Sequence, residues 1–123
     1  MSKIVFNPHD PKTAYKIAMH IGKNPTATHK DVAIMSKISV PAVNKNLFDG
    51  ALMILVNCNI HPEDNTYQII KKVETHNVKC LIPQDRYDLD MVMCLFHKLM
   101  YSRSINRRNR AKDILRELSD HTT

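Results

Sequence analysis

Apolar residues recur along this chain at two different spacings. Ala14, Ile17, Ala18 and Ile21 follow a helical period and predict the buried stripe of a first helix, with Lys12, Lys16 and His20 on its wet side. Val32 and Ala33 give a second helix a small apolar face. Val43 and Leu47, four apart, do the same for a third. After Gly50 the pattern changes. Met53 to Ile60 and Thr66 to Val73 are rich in branched residues and read as two strands, joined by the turn cluster His61-Pro62-Glu63-Asp64-Asn65. Val78 to Ile82 is expected as a third strand before Pro83, and Lys3-Ile4-Val5-Phe6 as a short strand or a tucked arm. The last third returns to helical spacing. Leu89, Val92, Met93, Phe96 and Met100 form a stripe that Met91, Leu95 and Leu99 broaden, and Ala111, Ile114, Leu115 and Leu118 form a final one.

Capping chemistry sharpens the boundaries. Asp10-Pro11 opens the first helix; Gly22 is expected to end it and Pro25 to prevent its return. Thr28 is placed to cap the second helix, with Asp31 three residues on in a variant of the capping box. Ser36-Lys37-Ile38-Ser39 breaks the pattern. Ser39 then caps a third helix that tolerates Pro41 in its first turn.

The stretch Thr28 to Gly50 resembles the helix-turn-helix superfamily. Ala33, Ile38, Ser39, Val43 and Leu47 stand where that family favours a small residue, a branched apolar residue, a cap and two buried apolar positions. Lys37 stands where Gly is usual, which implies a looser turn or a left-handed Lys37. A preceding helix and two following strands extend the resemblance to the winged helix. It implies an α+β fold: a three-helix core with a β-hairpin wing in residues 1–83, and a C-terminal helical extension in 84–123, packed as one compact unit. It also implies a sequence-specific double-stranded DNA-binding transcription regulator of bacterial or phage type. Ser39, Pro41, Asn44, Lys45 and Phe48 would face the major groove, where Asn44 suits adenine and Lys45 suits guanine or phosphate. Thr28, His29 and Lys30, at a helix N-terminus, would hold phosphate. Glu63 and Asp64 at the wing tip would repel it. The wing is therefore expected to be structural or to face a protein, with Lys71 and Lys72 nearer the DNA.

Charge adds to this picture. The net charge is +6, divided as +4 over residues 1–50, −2 over 51–90 and +4 over 91–123. Basic surfaces capture polyanions whatever the fold. The run Ser102 to Lys112 holds Arg103, Arg107, Arg108, Arg110 and Lys112 without one acid. Guanidinium forks suit phosphate oxygens, and no aromatic interleaves them to make a single-strand stacking platform. The plainer reading is a solvated helix face. An alternative function is a protein-binding adaptor acting through the acidic wing and the Met-rich helix, with RNA polymerase or another protein as partner. The same helix is a candidate for a homodimer contact.

Other classes find little in the sequence. There is no Gly-rich phosphate loop and no nucleophile motif, so no enzyme and no cofactor is expected. Cys58-x-x-His61 and His76-x-x-x-Cys80 have spacings a zinc site could use, but are read more simply as strand and turn residues. Three scattered cysteines argue against a disulfide framework. No apolar run is long enough for a bilayer, and the N-terminus has no apolar signal segment. A cytoplasmic protein, with no membrane partner, is the expectation.

Overall fold

The computed structural model describes residues 10–119, and the segment Lys3 to Phe6 lies outside them. The described residues run through six helices: α1 (Pro11–Lys23), α2 (His29–Ser36), α3 (Val40–Asn57), α4 (Thr66–Lys79), α5 (Leu89–Met100) and α6 (Ile105–Leu118). A single 3₁₀ turn, Pro83–Asp85, precedes α5. No strand occurs among the described residues, which overturns the α+β winged helix. None of these helices is long and apolar enough to cross a membrane.

The expected wing is helix. Met53 to Asn57 continues α3 for two turns past Gly50, and Thr66 to Val73 is the body of α4. Val78 and Lys79 end α4, and Leu81 and Ile82 lie exposed in the irregular segment before the 3₁₀ turn. The causes are local. In α3, Val43, Leu47, Ala51, Ile54, Leu55 and Cys58 are all buried, a helical stripe that reaches beyond the expected stop. In α4, Ile69 and Val73 point inward, four apart. Asn65 and Gln68 form a full capping box, each side chain accepting from the other residue's backbone N–H at 2.9 and 2.8 Å. That box launches a helix where branched residues had favoured a strand.

Two left-handed residues terminate helices. Lys37 has φ 58° and ψ 40°, so the tight turn forms with a lysine in the glycine position. Its N–H and that of Ile38 close back on Ile34 and Ala33, a double closure that satisfies the last carbonyls of α2. Asn59, with φ 59°, ends α3 the same way, and the Ile60 N–H reaches the Leu55 carbonyl at 3.0 Å. Asn tolerates this conformation better than most residues.

The most extensive contact in the fold is α1 on α3. Ala14 and Ala18 present almost no side chain there, and Gly50 presents none. A methyl group built on Gly50 would lie 2.0 Å from the Ala14 carbonyl oxygen and 2.8 Å from the Ala18 Cβ. Gly22, the last residue but one of α1, lies where that helix ends as expected and also against α5, where a methyl would meet the Met91 side chain at 2.6 Å. Alpha5 also packs on α3, α4 and α6. Its residues Met91, Val92, Leu95, Phe96, Leu99 and Met100 are buried within the protomer. The apolar face on which a homodimer was expected is used in this core.

A polar tie closes the other end. The Asn57 amide on α3 donates to the hydroxyls of Tyr15 and Tyr87, the latter at 2.9 Å. The Asn77 side chain holds the Tyr87 backbone from both sides, at 2.9 and 2.8 Å, and His76 stacks on the Tyr87 ring at 4.5 Å.

Two substitutions test the backbone argument in opposite directions. Gly50→Ala should destabilise by about 1–3 kcal/mol or more, because the overlap is with the Ala14 backbone and no side chain can swing away. Lys37→Gly should stabilise by about 1 kcal/mol, since Gly enters the left-handed region without the steric cost an L side chain meets. Chemical denaturation of both variants would check the signs. A neutral Gly50→Ala would mean that the two helices do not cross this closely.

Candidate nucleic-acid interface

The two-helix unit forms as α2, the Lys37 turn and α3. The Thr28 hydroxyl caps α2 by accepting from the Asp31 N–H at 3.0 Å, and the Ser39 hydroxyl caps α3 by accepting from Ala42 at 3.2 Å. Val32, Ala33, Val43 and Leu47 are buried beneath this unit. The N-terminal half of α3 leaves Ser39, Val40, Pro41 and Lys45 exposed, with Asn44 and Phe48 half-buried. Ile34 and Met35, on the last turn of α2, are also exposed.

Lys45 is less free than its exposure implies. Its Nζ lies 3.4 Å from the Oδ2 of Asp49, one turn on, and Asp49 is buried. Moving Lys45 to a base edge would leave a buried carboxylate without its counter-charge, which is costly. Lys45 is therefore first a partner of Asp49. Asn46 turns back to the Ala42 carbonyl at 2.9 Å. Asn44 is the amide that remains for recognition.

Asn44 faces a groove between α2, α3 and the junction of α5 with α6. The cavity measures about 440 Å³. Its polar wall is His29, Asn44, Lys98, Ser102, Arg103 and Arg107; its apolar part is Leu47, Phe48 and Leu99. No acid lines it. Lys98, Arg103 and Arg107 form no ion pair among the described residues. Three cations elsewhere are paired with acids: Lys45 with Asp49, Lys72 with Asp64, and Arg116 with Glu63 at 3.6 Å and Asp113 at 3.3 Å. The groove is where uncompensated positive charge converges.

The structure thus brings together His29, Asn44, Phe48, Arg103 and Arg107 from two distant parts of the chain. Lys30 is exposed on the first turn of α2 beside them in sequence, and Thr28 is committed to its cap. Arg108 is half-buried and donates to the Ser102 carbonyl at 3.3 Å, so it braces the α5–α6 junction. Arg110 lines a different depression with Asn106, Asn109 and Asp113. Lys71 and Lys72 sit on α4, where the Lys71 ammonium lies over the Tyr67 ring at 5.6 Å. Without a wing they have no route to the groove by that device. Lys98 and Ser102 were missed from sequence. Lys98 sits in the last turn of a helix whose apolar stripe drew the attention, and only the fold shows that it turns towards α3.

The four zinc candidates do not converge: among the described residues no group of three or more His, Cys, Asp or Glu is arranged to hold a metal. His76 and Cys80 are neighbours at 3.4 Å, while the His61 Nδ1 accepts from the Glu63 N–H inside the turn. Cys58 is buried, and burial first, then the nearby Cys80, pushes its thiol up to about 12. Comparison of the chain with protein-family profiles, curated proteins and solved structures finds no match.

The Cys58 thiol supplies a pH prediction. A raised folded value means that its contribution to stability is complete below the ordinary 9.0 and is lost as pH rises towards about 12. In the folded protein at pH 8, iodoacetamide should modify the half-buried Cys80 and Cys94 well before Cys58. Peptide mapping of the alkylated protein reads the order, and early labelling of Cys58 would place it at the surface.

Proposed function

We propose that this chain binds double-stranded DNA through its helix-turn-helix unit, without a wing. The N-terminal half of α3 enters the major groove. Asn44 reads a base edge, and the exposed Val40 offers an apolar contact for a thymine methyl. Phosphates on the flanking strand meet Lys98, Arg103 and Arg107, with Lys30 at the start of α2. Such binding suits a regulator of transcription.

The observation that carries this reading is the convergence of three unpaired cations beside a Ser-capped helix entered through a left-handed tight turn. The adaptor reading has less behind it. Glu63 is paired with Arg116 and Asp64 with Lys72, while Met91 and Met100 are buried in the core.

Duplex binding across a salt series tests the proposal. Each phosphate contact contributes about 0.9 to the slope of log affinity against log salt. Arg103→Gln with Arg107→Gln should flatten that slope by about two units and weaken specific and scrambled duplexes alike. Asn44→Ala should behave otherwise, removing about 1–3 kcal/mol of preference between sequences with little change in slope. A native protein that binds no duplex at low salt, or variants with unchanged slope and preference, would sink the assignment.

A further inference from the structure

The groove that gathers these cations also has an apolar lining, which phosphate contact does not require. A DNA backbone can satisfy Lys98, Arg103 and Arg107 at the rim, but it has nothing to place against the half-buried Phe48 and the edges of the core residues Leu47 and Leu99 that reach the groove. A cavity of about 440 Å³ lies within the range of small-molecule sites, which pair an apolar lining with a few directed polar groups. Here the polar groups are cationic, with the Asn44 amide and the Ser102 hydroxyl as neutral hydrogen-bonding partners. The half-buried Phe48 offers an aromatic surface beside them.

We infer that this groove is a ligand site for a small organic anion: a sulfonate, carboxylate or phosphate attached to a ring-sized apolar body. The anionic group is held by Arg103 and Arg107, with Lys98 adding charge, and the body covers Leu47, Phe48 and Leu99. Because the same guanidinium groups are assigned to DNA phosphate, occupancy competes with the duplex and the ligand acts as an effector that releases it. This regulatory half rests on the DNA reading; the ligand site does not.

Two properties make the site selective. Inorganic phosphate satisfies the cations but leaves the apolar surface wet, so it binds weakly. A neutral aromatic buries that surface but leaves the cations uncompensated, so it also binds weakly. Both halves in one molecule are needed for tight binding.

Anilinonaphthalene sulfonate is a suitable probe, since its fluorescence reports transfer into an apolar site. Titration of the full chain should show one saturable site. Arg103→Gln with Arg107→Gln should lower its affinity about tenfold or more, the scale of a lost charge-assisted hydrogen bond. Both side chains are exposed, so the fold should survive, and circular dichroism would confirm that it does. N-phenylnaphthylamine, the same rings without the sulfonate, should show a comparable loss against the native protein. Lys79→Gln, an exposed cation on α4 outside the groove, should bind the dye as the native chain does. Dye affinity unchanged in the folded double variant would place the probe on other exposed apolar surface, such as Leu81 and Ile82, and overturn the site. Displacement of a labelled duplex by the dye tests the regulatory half. Duplex binding that the dye leaves untouched while occupying the groove would overturn competition alone. A chain that binds the dye and no duplex would overturn the DNA reading and leave the ligand site standing.

Discussion

The near-contact of two helix backbones at Gly50 sets the geometry of this fold. Alpha1 lies so close on α3 that not even a methyl group fits between Gly50 and the Ala14 carbonyl. Small residues on both sides are the condition: Ala14 and Ala18 on one helix, Gly50 on the other. This contact, the most extensive between any two helices, fixes how α3 lies on α1, and α2 packs on α3 as well. Gly22 repeats the device against α5. The chain has two glycines, and both lie where helices approach each other, Gly50 in the middle of α3 and Gly22 near the end of α1. The turns are made by residues that tolerate the left-handed region less well, Lys37 and Asn59.

That reversal explains where reading the sequence succeeded and where it failed. Caps could be read because they depend on neighbours in sequence: Asp10, Thr28 and Ser39 each accept from the backbone N–H three residues on. The helical stripes of α1 and α5 could be read because a period of 3.6 needs no tertiary knowledge. After Gly50 the amphipathic spacing gives way to a branched apolar run, Met53 to Ile60, which has the length and composition of a strand. The true stop, Asn59, looks like any polar turn residue. At α4 two local signals compete: Asn65-x-x-Gln68 is a capping-box pattern, whereas Tyr67, Ile69 and Ile70 carry β propensity. Propensity depends on context, whereas a cap specifies a hydrogen bond, and the cap won.

The candidate site divides along the same line. Residue types were legible: the acid-free arginine run and the amide of Asn44 were evident. Their meeting was not, because it depends on the α5–α6 junction folding back beside α3. Nor could the sequence show which cations are already occupied. Lys45 looked like a base-reading residue and is leashed to Asp49. Arg108 looked like its neighbours and is a brace for the Ser102 carbonyl. Lys98 attracted no notice and lines the groove.

Occupation of charge is what turns a net +6 into a specific expectation. A basic composition predicts only general attraction to polyanions. Once the ion pairs are assigned, the surplus is no longer uniform. Asp49, Asp64, Glu63 and Asp113 remove Lys45, Lys72 and Arg116 from consideration. What remains includes Lys98, Arg103 and Arg107, on one groove with an amide and an aromatic ring. Unpaired cations held together repel one another, and the fold bears that repulsion without placing a single carboxylate between them. An anion that enters relieves it, so the groove gains more from a bound anion than the same three charges would if they were scattered over the surface.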